Sequence, residues 1–305
     1  MNALFSALCS DAAVHRLTAA LAEPPHQLAA HGFSGSLKHA AIAAAYDRQP
    51  RPMAVVAAGR EALRAWQEDL TALLPEADIY ELPELAHIDF SAPGFSKSME
   101  RSARRMDILA RLLRHEPIIV LAEIGAAVQK GLSAAEFTRC SLLLHLGDTL
   151  AMETLLERVT ALGYEHAAEV EHMGQFCVRG GIVDIFPINV LSPIRMEFFD
   201  TEIDSIREYD LETKRSIRNI GTVSIMPLHA EDDAGEACFL SYLGADGVTV
   251  FDEPTRILTA LQEAAQEDAV RAARSFHWED LLEAGLTGHE IFISLMSRKI
   301  PACTP

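Results

Sequence analysis

A change of rhythm restricts this chain more than any other feature: helix and strand patterns alternate, give way to a β-rich block, and then resume. Residues 36–47 are Ala-rich and helical, Met53-Ala54-Val55-Val56-Ala57 reads as a buried strand, and residues 59–74 carry a second helical pattern. A strand is predicted over 77–82, an Arg-rich helix follows, and Pro117-Ile118-Ile119-Val120-Leu121 is another short apolar run. Such alternation calls for a parallel sheet with helices on its faces, because parallel strands need crossover connections.

From about residue 126 the texture differs. A helix at 149–162 leads into Phe176-Cys177-Val178-Arg179, Ile182-Val183-Asp184-Ile185-Phe186 and Arg195-Met196-Glu197-Phe198-Phe199, separated by Gly180-Gly181 and by a segment running from Pro187 to Pro193. Short runs joined by tight turns suit a small antiparallel sheet. After about residue 212 the α/β texture returns, with Val248-Thr249-Val250-Phe251-Asp252 as a strand and a helix over 255–266. The expectation is therefore an α/β chain in which residues 1–125 and 212–305 form one domain in two segments, with a small α+β domain, residues 126–211, inserted between them. A length of 305 residues, 49% of them apolar, is enough to fill both cores.

Charge removes one class of function. With 44 acidic against 26 basic residues the net charge is −18, which repels a phosphate backbone and argues against strong autonomous DNA binding. Arg101, Arg104, Arg105, Arg111 and Arg114 form the densest basic group, but Met106, Leu109, Leu112 and Leu113 recur beside them at helical spacing, so they read as a solvated helix face. Cys9, Cys140, Cys177, Cys238 and Cys303 are odd in number and scattered, and no HExxH pair exists, so neither a disulfide framework nor a metal site is expected. The first residues lack a basic n-region, and Ser10, Asp11, His15 and Arg16 interrupt the early apolar stretch, which predicts a cytoplasmic chain with no membrane contact.

Gly32-Phe33-Ser34-Gly35-Ser36-Leu37-Lys38-His39 follows an apolar stretch and opens a helix, the setting of a phosphate-binding loop. Against GxxxxGK[ST] it keeps Gly32 and Lys38. Leu37 replaces the glycine that lets backbone N–H groups wrap a phosphate, where its side chain is expected to crowd the cradle. His39 replaces the hydroxyl that ligands Mg²⁺, and imidazole is a poor ligand for a hard cation. Asp252-Glu253, at the tip of an apolar strand, resembles the acidic pair that holds Mg²⁺ and activates water in P-loop ATPases. Two relics in the right order point to a nucleotide site that has lost its chemistry, with no catalytic residue and no cofactor. The plainer alternatives are that Gly32 and Gly35 shape a strand-to-helix turn and that Asp252-Glu253-Pro254 caps a helix, with Asp252 as N-cap.

The most specific signal lies between. Arg179-Gly180-Gly181-Ile182-Val183-Asp184-Ile185-Phe186-Pro187, then Pro193 through Arg207, is similar to the RGG(I/V)xDIFP…P(I/V)RxEFFDDEIDSIR signature shared by UvrB and the N-terminal region of transcription-repair coupling factors. Tyr209-Asp210 through Ile217 continues the coupling-factor version, and Leu155-Leu156-Glu157-Arg158 with Leu162-Gly163-Tyr164 precedes it, so the resemblance covers roughly residues 25–270. It implies a degenerate RecA-like, P-loop-like domain split in two, with an inserted UvrA-binding domain. It also implies that the rest of the coupling factor acts in cis, touching RNA polymerase and DNA only through parts beyond residue 305. UvrB probes DNA with a tyrosine-rich hairpin; no tyrosine occurs here between Leu82 and Ser98.

Residues two apart on a strand share a face, so Arg195, Glu197 and Phe199 project together while Ile194, Met196 and Phe198 point to the core. Likewise Cys177 and Arg179 share a face, and if the two strands lie side by side Arg179 joins Arg195 and Phe199. An arginine fork and an exposed aromatic are the residue types that dominate protein interfaces. The resemblance carries UvrA contact over to Arg179, Arg195 and Phe199, with Glu197 in the same polar network; the alternative is an Arg179 to Glu197 pair on a solvated face. UvrB-type sequences carry arginine where Cys177 and His166 stand, so those two contact positions are altered here. Two functions compete: a UvrA-recruiting adaptor linking polymerase removal to excision repair, and a nucleotide-hydrolysing P-loop domain acting on DNA. Leu37 and His39 discriminate in favour of the first.

Overall fold

Three strands with no polar alternation at all explain the first sheet. β2 (Met53–Ala57), β13 (Val248–Asp252) and β14 (His289–Ser294) are buried at every position, as strands covered on both faces must be. They form the middle of a six-stranded sheet with β1 (Gln27–His31), β3 (Ile79–Glu81) and β4 (Ile119–Glu123), in the order β1-β14-β13-β2-β4-β3, every pairing parallel. The computed structural model describes residues 11–24, 27–33, 35–85, 95–228, 237–268, 272–283 and 288–295. Cys9, Cys303, Ser34 and most of the tyrosine-free stretch before Ser98 lie outside the described residues.

The chain divides into two units, one comprising Met1–Glu84, Ile108–Ser133 and Asp232–Pro305, the other Leu85–Asp107 and Ala134–Glu231. In the first, α1 (Ala12–Ala20), α2 (Ser36–Arg48) and α3 (Arg60–Leu73) contribute to one core with β2, β13 and β14. α3 is amphipathic, burying Leu63, Trp66 and Leu70 at spacings of three and four. α2 buries an unbroken run from His39 to Tyr46 and is enclosed instead. The Arg-rich helix is α4 (Phe95–Leu113), in which Arg105 is only 2% exposed, so that arginine does not belong to a solvated face. Short α5 (Ile124–Ala127) follows β4.

The second unit contains α6 (Ala134–Cys140), α7 (Met152–Ala161) and a second six-stranded sheet. Its strands are β6 (Glu165–His166), β7 (Gln175–Arg179), β8 (Ile182–Ile185), β9 (Ile194–Phe199), β10 (Glu202–Tyr209) and β11 (Ser216–Asn219), in the order β11-β10-β9-β8-β7-β6. All pair antiparallel except β6 with β7. β5 (Leu142–His145) and β12 (Thr222–Ile225) make a separate antiparallel ribbon. At the β7–β8 turn Gly180 has φ 60°, a left-handed conformation suited to glycine, and a Cβ on Gly181 would stand 3.0 Å from the Phe198 carbonyl oxygen.

Because β11 hydrogen-bonds to β10 and β12 to β5, the second unit runs past residue 211 to Glu231, and it begins again at Ala134 rather than 126. Strand pairing, which the local texture of residues 212–225 does not reveal, sets that boundary. The first unit closes with the 3₁₀ turn Phe239–Leu243, α8 (Pro254–Glu267) and α9 (Trp278–Glu283). No helix among the described residues is long and apolar enough to cross a membrane.

Candidate functional site

The cleft around Lys38 and the sheet face belong to different units and are built differently. In the first unit Gly35, with φ 55°, ends the loop after β1 and stands as N-cap of α2. Lys38, one turn in, meets Asp252 at the tip of β13, its Nζ lying 2.5 Å from Oδ1 and 2.7 Å from Oδ2. Trp66 Nε1 donates to the same carboxylate at 2.8 Å, and Lys38 also sits 5.8 Å from the Trp66 ring centroid. Asp252 is 3% exposed, so its charge is tolerable only with those partners.

His39 is also spent internally. Its Nδ1 is 2.6 Å from Asp69 Oδ2, and its ring lies 4.2 Å from that of Trp66. Burial holds the imidazole below its usual range, the hydrogen bond to Asp69 opposing this only in part. Hydrogen bonds from Ser36 and His39 hold the Asp69 carboxyl low. The ring is thus engaged by Asp69 and Trp66 within the unit.

Glu253 accepts from the Leu295 backbone N–H at 2.8 Å and adopts a left-handed φ of 55°. Glu253, not Asp252, is the N-cap of α8, without a side-chain cap bond and with Pro254 at the first turn; the N-cap role expected of Asp252 is corrected by its burial against Lys38. Leu37 also departs from expectation. It is 41% exposed and does not line the cleft of about 520 Å³ bordered by Lys38, Gly59, Arg60, Asp252, Glu253 and Arg256.

In the second unit, β8 lies between β7 and β9, so the strands carrying Arg179 and Arg195 are not adjacent. Register nevertheless aligns their side chains, since directly paired residues share a face. One row runs Cys177, Asp184, Arg195, Arg207, and the next Arg179, Ile182, Glu197, Ser205. Alternation on β9 is as expected for Ile194 and Met196, both buried, while Phe198 is only half-buried.

The two rows differ in character. Cys177 is 2% exposed and packs with Val170 and Phe186, so its placement on a contact face is corrected: a neighbouring stretch covers that end of the sheet. Lys214 ties this stretch down through Glu169, at 2.9 Å, and the Val170 carbonyl. Asp184 is 4% exposed and accepts from Arg195 Nε at 2.6 Å and Nη2 at 2.7 Å. That pair holds the guanidinium firmly protonated. The Arg195 guanidinium also lies 4.8 Å from the centroid of the buried Tyr209 ring.

At the open end Phe199 is 78% exposed, and Arg179 is exposed with one hydrogen bond to the Ala168 carbonyl at 3.4 Å. Glu197 pairs with Arg207 and accepts from Ser205 Oγ at 3.1 Å, so the Arg179 to Glu197 pair weighed from sequence is not the one formed. His166 is exposed at the sheet edge, its ring 5.2 Å from Phe176. Sequence reasoning missed Asp184, Arg207 and Tyr209. The alternation of Ser205, Arg207 and Tyr209 on β10 was the signal for the last two, and an aspartate inside an apolar strand was the signal for the first.

All strands of the second sheet and of the β5–β12 ribbon lie within residues 142–230, and those residues match the model of the UvrB interaction domain. The match covers most of the later segment of the second unit and none of Leu85–Asp107. The chain is similar to the transcription-repair-coupling factor of Bacillus subtilis (strain 168), 32% identical over 199 residues, which are 64% of this chain and 16% of that protein. The transcription-repair-coupling factors of Staphylococcus haemolyticus and Staphylococcus aureus (strain bovine RF122 / ET3-1) are 30% and 31% identical over 196 residues, again 64% of this chain and 16% of theirs. The matched part of the chain spans 16% of the length of these relatives.

Proposed function

We propose that this chain is a non-catalytic adaptor that recruits UvrA to a transcription-repair coupling factor through the open end of the β7–β8–β9 face. The observation that carries the reading is Phe199, 78% exposed on a strand whose neighbouring residues are otherwise partnered. A large ring held out to water on the sheet face that also carries Arg179 and Arg195 has the make-up of an interface centre. Glu197 belongs to the same face; His166 pairs in register with Phe176 and so falls on the opposite one, and Cys177, though in the Arg195 row, is buried, so neither of these two expected contacts is part of the proposed surface.

The first unit reads as a degenerate RecA-like domain in two segments, into which the UvrA-binding unit is inserted. Lys38, Asp252 and His39 are committed to Trp66, Asp69 and one another, which supports a cleft that neither holds magnesium nor turns over ATP. The competing reading, a working nucleotide site, has in its favour the cleft beside Lys38. The translocase activity, the contacts to RNA polymerase and DNA, and action in the cytoplasm belong to the parent factor in this proposal.

Amide hydrogen exchange with and without UvrA tests the assignment. Protection on adding UvrA is expected in β7, the β7–β8 turn and the C-terminal half of β9. Protection confined to α2, α3 and α8, or none, contradicts it.

A further inference from the structure

Arg195 is placed oddly for a contact residue. Its side chain is 23% exposed, and two of its five N–H groups are given to a carboxylate that is itself 5% exposed. A buried Asp–Arg pair contributes little net stability, because desolvation offsets most of the attraction. What such a pair does supply is orientation: Nε and Nη2 are pinned on Asp184, and the nearby Tyr209 ring limits the tilt of the plane. The N–H groups that Asp184 does not take lie on the opposite edge of the guanidinium.

We propose that Asp184 is a positioning residue that presents the outer edge of Arg195 to a hydrogen-bond acceptor on the docked protein, a carboxylate or a backbone carbonyl. This rests on the docking reading above. Because Asp184 neutralises much of the guanidinium charge at long range, Arg195 acts at contact and slows dissociation. Arg179, whose charge faces no directly bonded carboxylate, governs the salt-dependent approach.

The experiment measures association and dissociation rates of the full chain with UvrA at two salt concentrations, for wild type, Asp184→Asn, Arg195→Ala, the double variant and Phe199→Ala. Asp184→Asn is expected to raise the dissociation rate about tenfold and to have no further effect in the Arg195→Ala background. Equal effects of Asp184→Asn in both backgrounds, or none in either, overturn the proposal. If Phe199→Ala weakens binding and Arg195→Ala does not, the positioning role falls while the docking face stands. If neither weakens binding, the docking reading itself fails and takes this one with it.

Should Asp184→Asn not fold, Arg195→Lys carries the test, since it keeps the charge and loses the fork. Loss comparable to Arg195→Ala supports the role, and wild-type binding refutes it. In the free protein the Arg195 Nε–H resonance should be shifted downfield and protected from solvent exchange, and both features should vanish in Asp184→Asn.

Discussion

Replacing Lys38 by methionine separates the two readings of the cleft. Among the described residues Lys38 is the only cation bonded to Asp252, a carboxylate 3% exposed that also accepts from the neutral Trp66 N–H. Removing one partner of a buried ion pair costs about 3–5 kcal/mol, and the 17% exposure of Lys38 places this case near the lower end, at about 3 kcal/mol. For a unit of this size that corresponds to a fall in Tm of roughly 6–12 °C. Differential scanning calorimetry of Lys38→Met against wild type reads it directly, and Lys38→Met with Asp252→Asn should recover most of the loss, because the stranded charge is gone. If Lys38 were instead kept for phosphate, Lys38→Met would leave Tm unchanged and abolish magnesium-dependent ATP turnover. That pair of results would refute a cleft closed on itself.

Glu290, 4% exposed on β14 and accepting a 2.9 Å hydrogen bond from Gln27 Nε2, is pushed up by burial to about 7. A carboxyl raised in the folded state contributes stability below its unfolded range near 4.5 and loses it as pH rises through about 7. Glu290→Gln should therefore leave stability unchanged at pH 4 and increase it at pH 8, by about 3 kcal/mol, read as a higher Tm; a stabilisation equal at both pH values would contradict this. Cys177→Arg, which restores the UvrB-type residue, should destabilise the second unit without tightening UvrA binding, since Cys177 is 2% exposed; tighter binding with unchanged Tm would show that the position is open. Gly174, at φ 85°, would carry a Cβ 2.6 Å from Met99 Cε, so Gly174→Ala should lower Tm, and an unchanged melt would show that the Met99 side chain yields freely.

Apolar runs such as Met53–Ala57 and Val248–Asp252 were readable because a strand buried on both faces has no other pattern available. β14 escaped notice: His289 and Glu290 break its apolar run, and only the fold shows that both are buried. β11 and β12 were invisible for a different reason, since Ser216–Asn219 is exposed throughout and its strand character comes from hydrogen bonding to β10 alone. The shared face of Arg179, Arg195 and Phe199 followed from period-two alternation even though β8 intervenes, because each antiparallel pairing keeps partners on one face. Alternation gives direction and says nothing of cover. That is why Cys177 was assigned to the surface and Asp184 was passed over as part of a core strand. The partners of His39, Asp69 and Trp66, come from α3, which no local pattern links to the loop.

The central claim is that the open end of the second sheet holds UvrA, and a binding titration of UvrA against Phe199→Ala and Arg179→Ala addresses it most directly. Loss of a central aromatic or arginine is expected to cost about 2 kcal/mol or more, roughly a thirtyfold rise in Kd, with Tm unchanged because both side chains lie in solvent. Wild-type affinity in both variants would place the contact elsewhere.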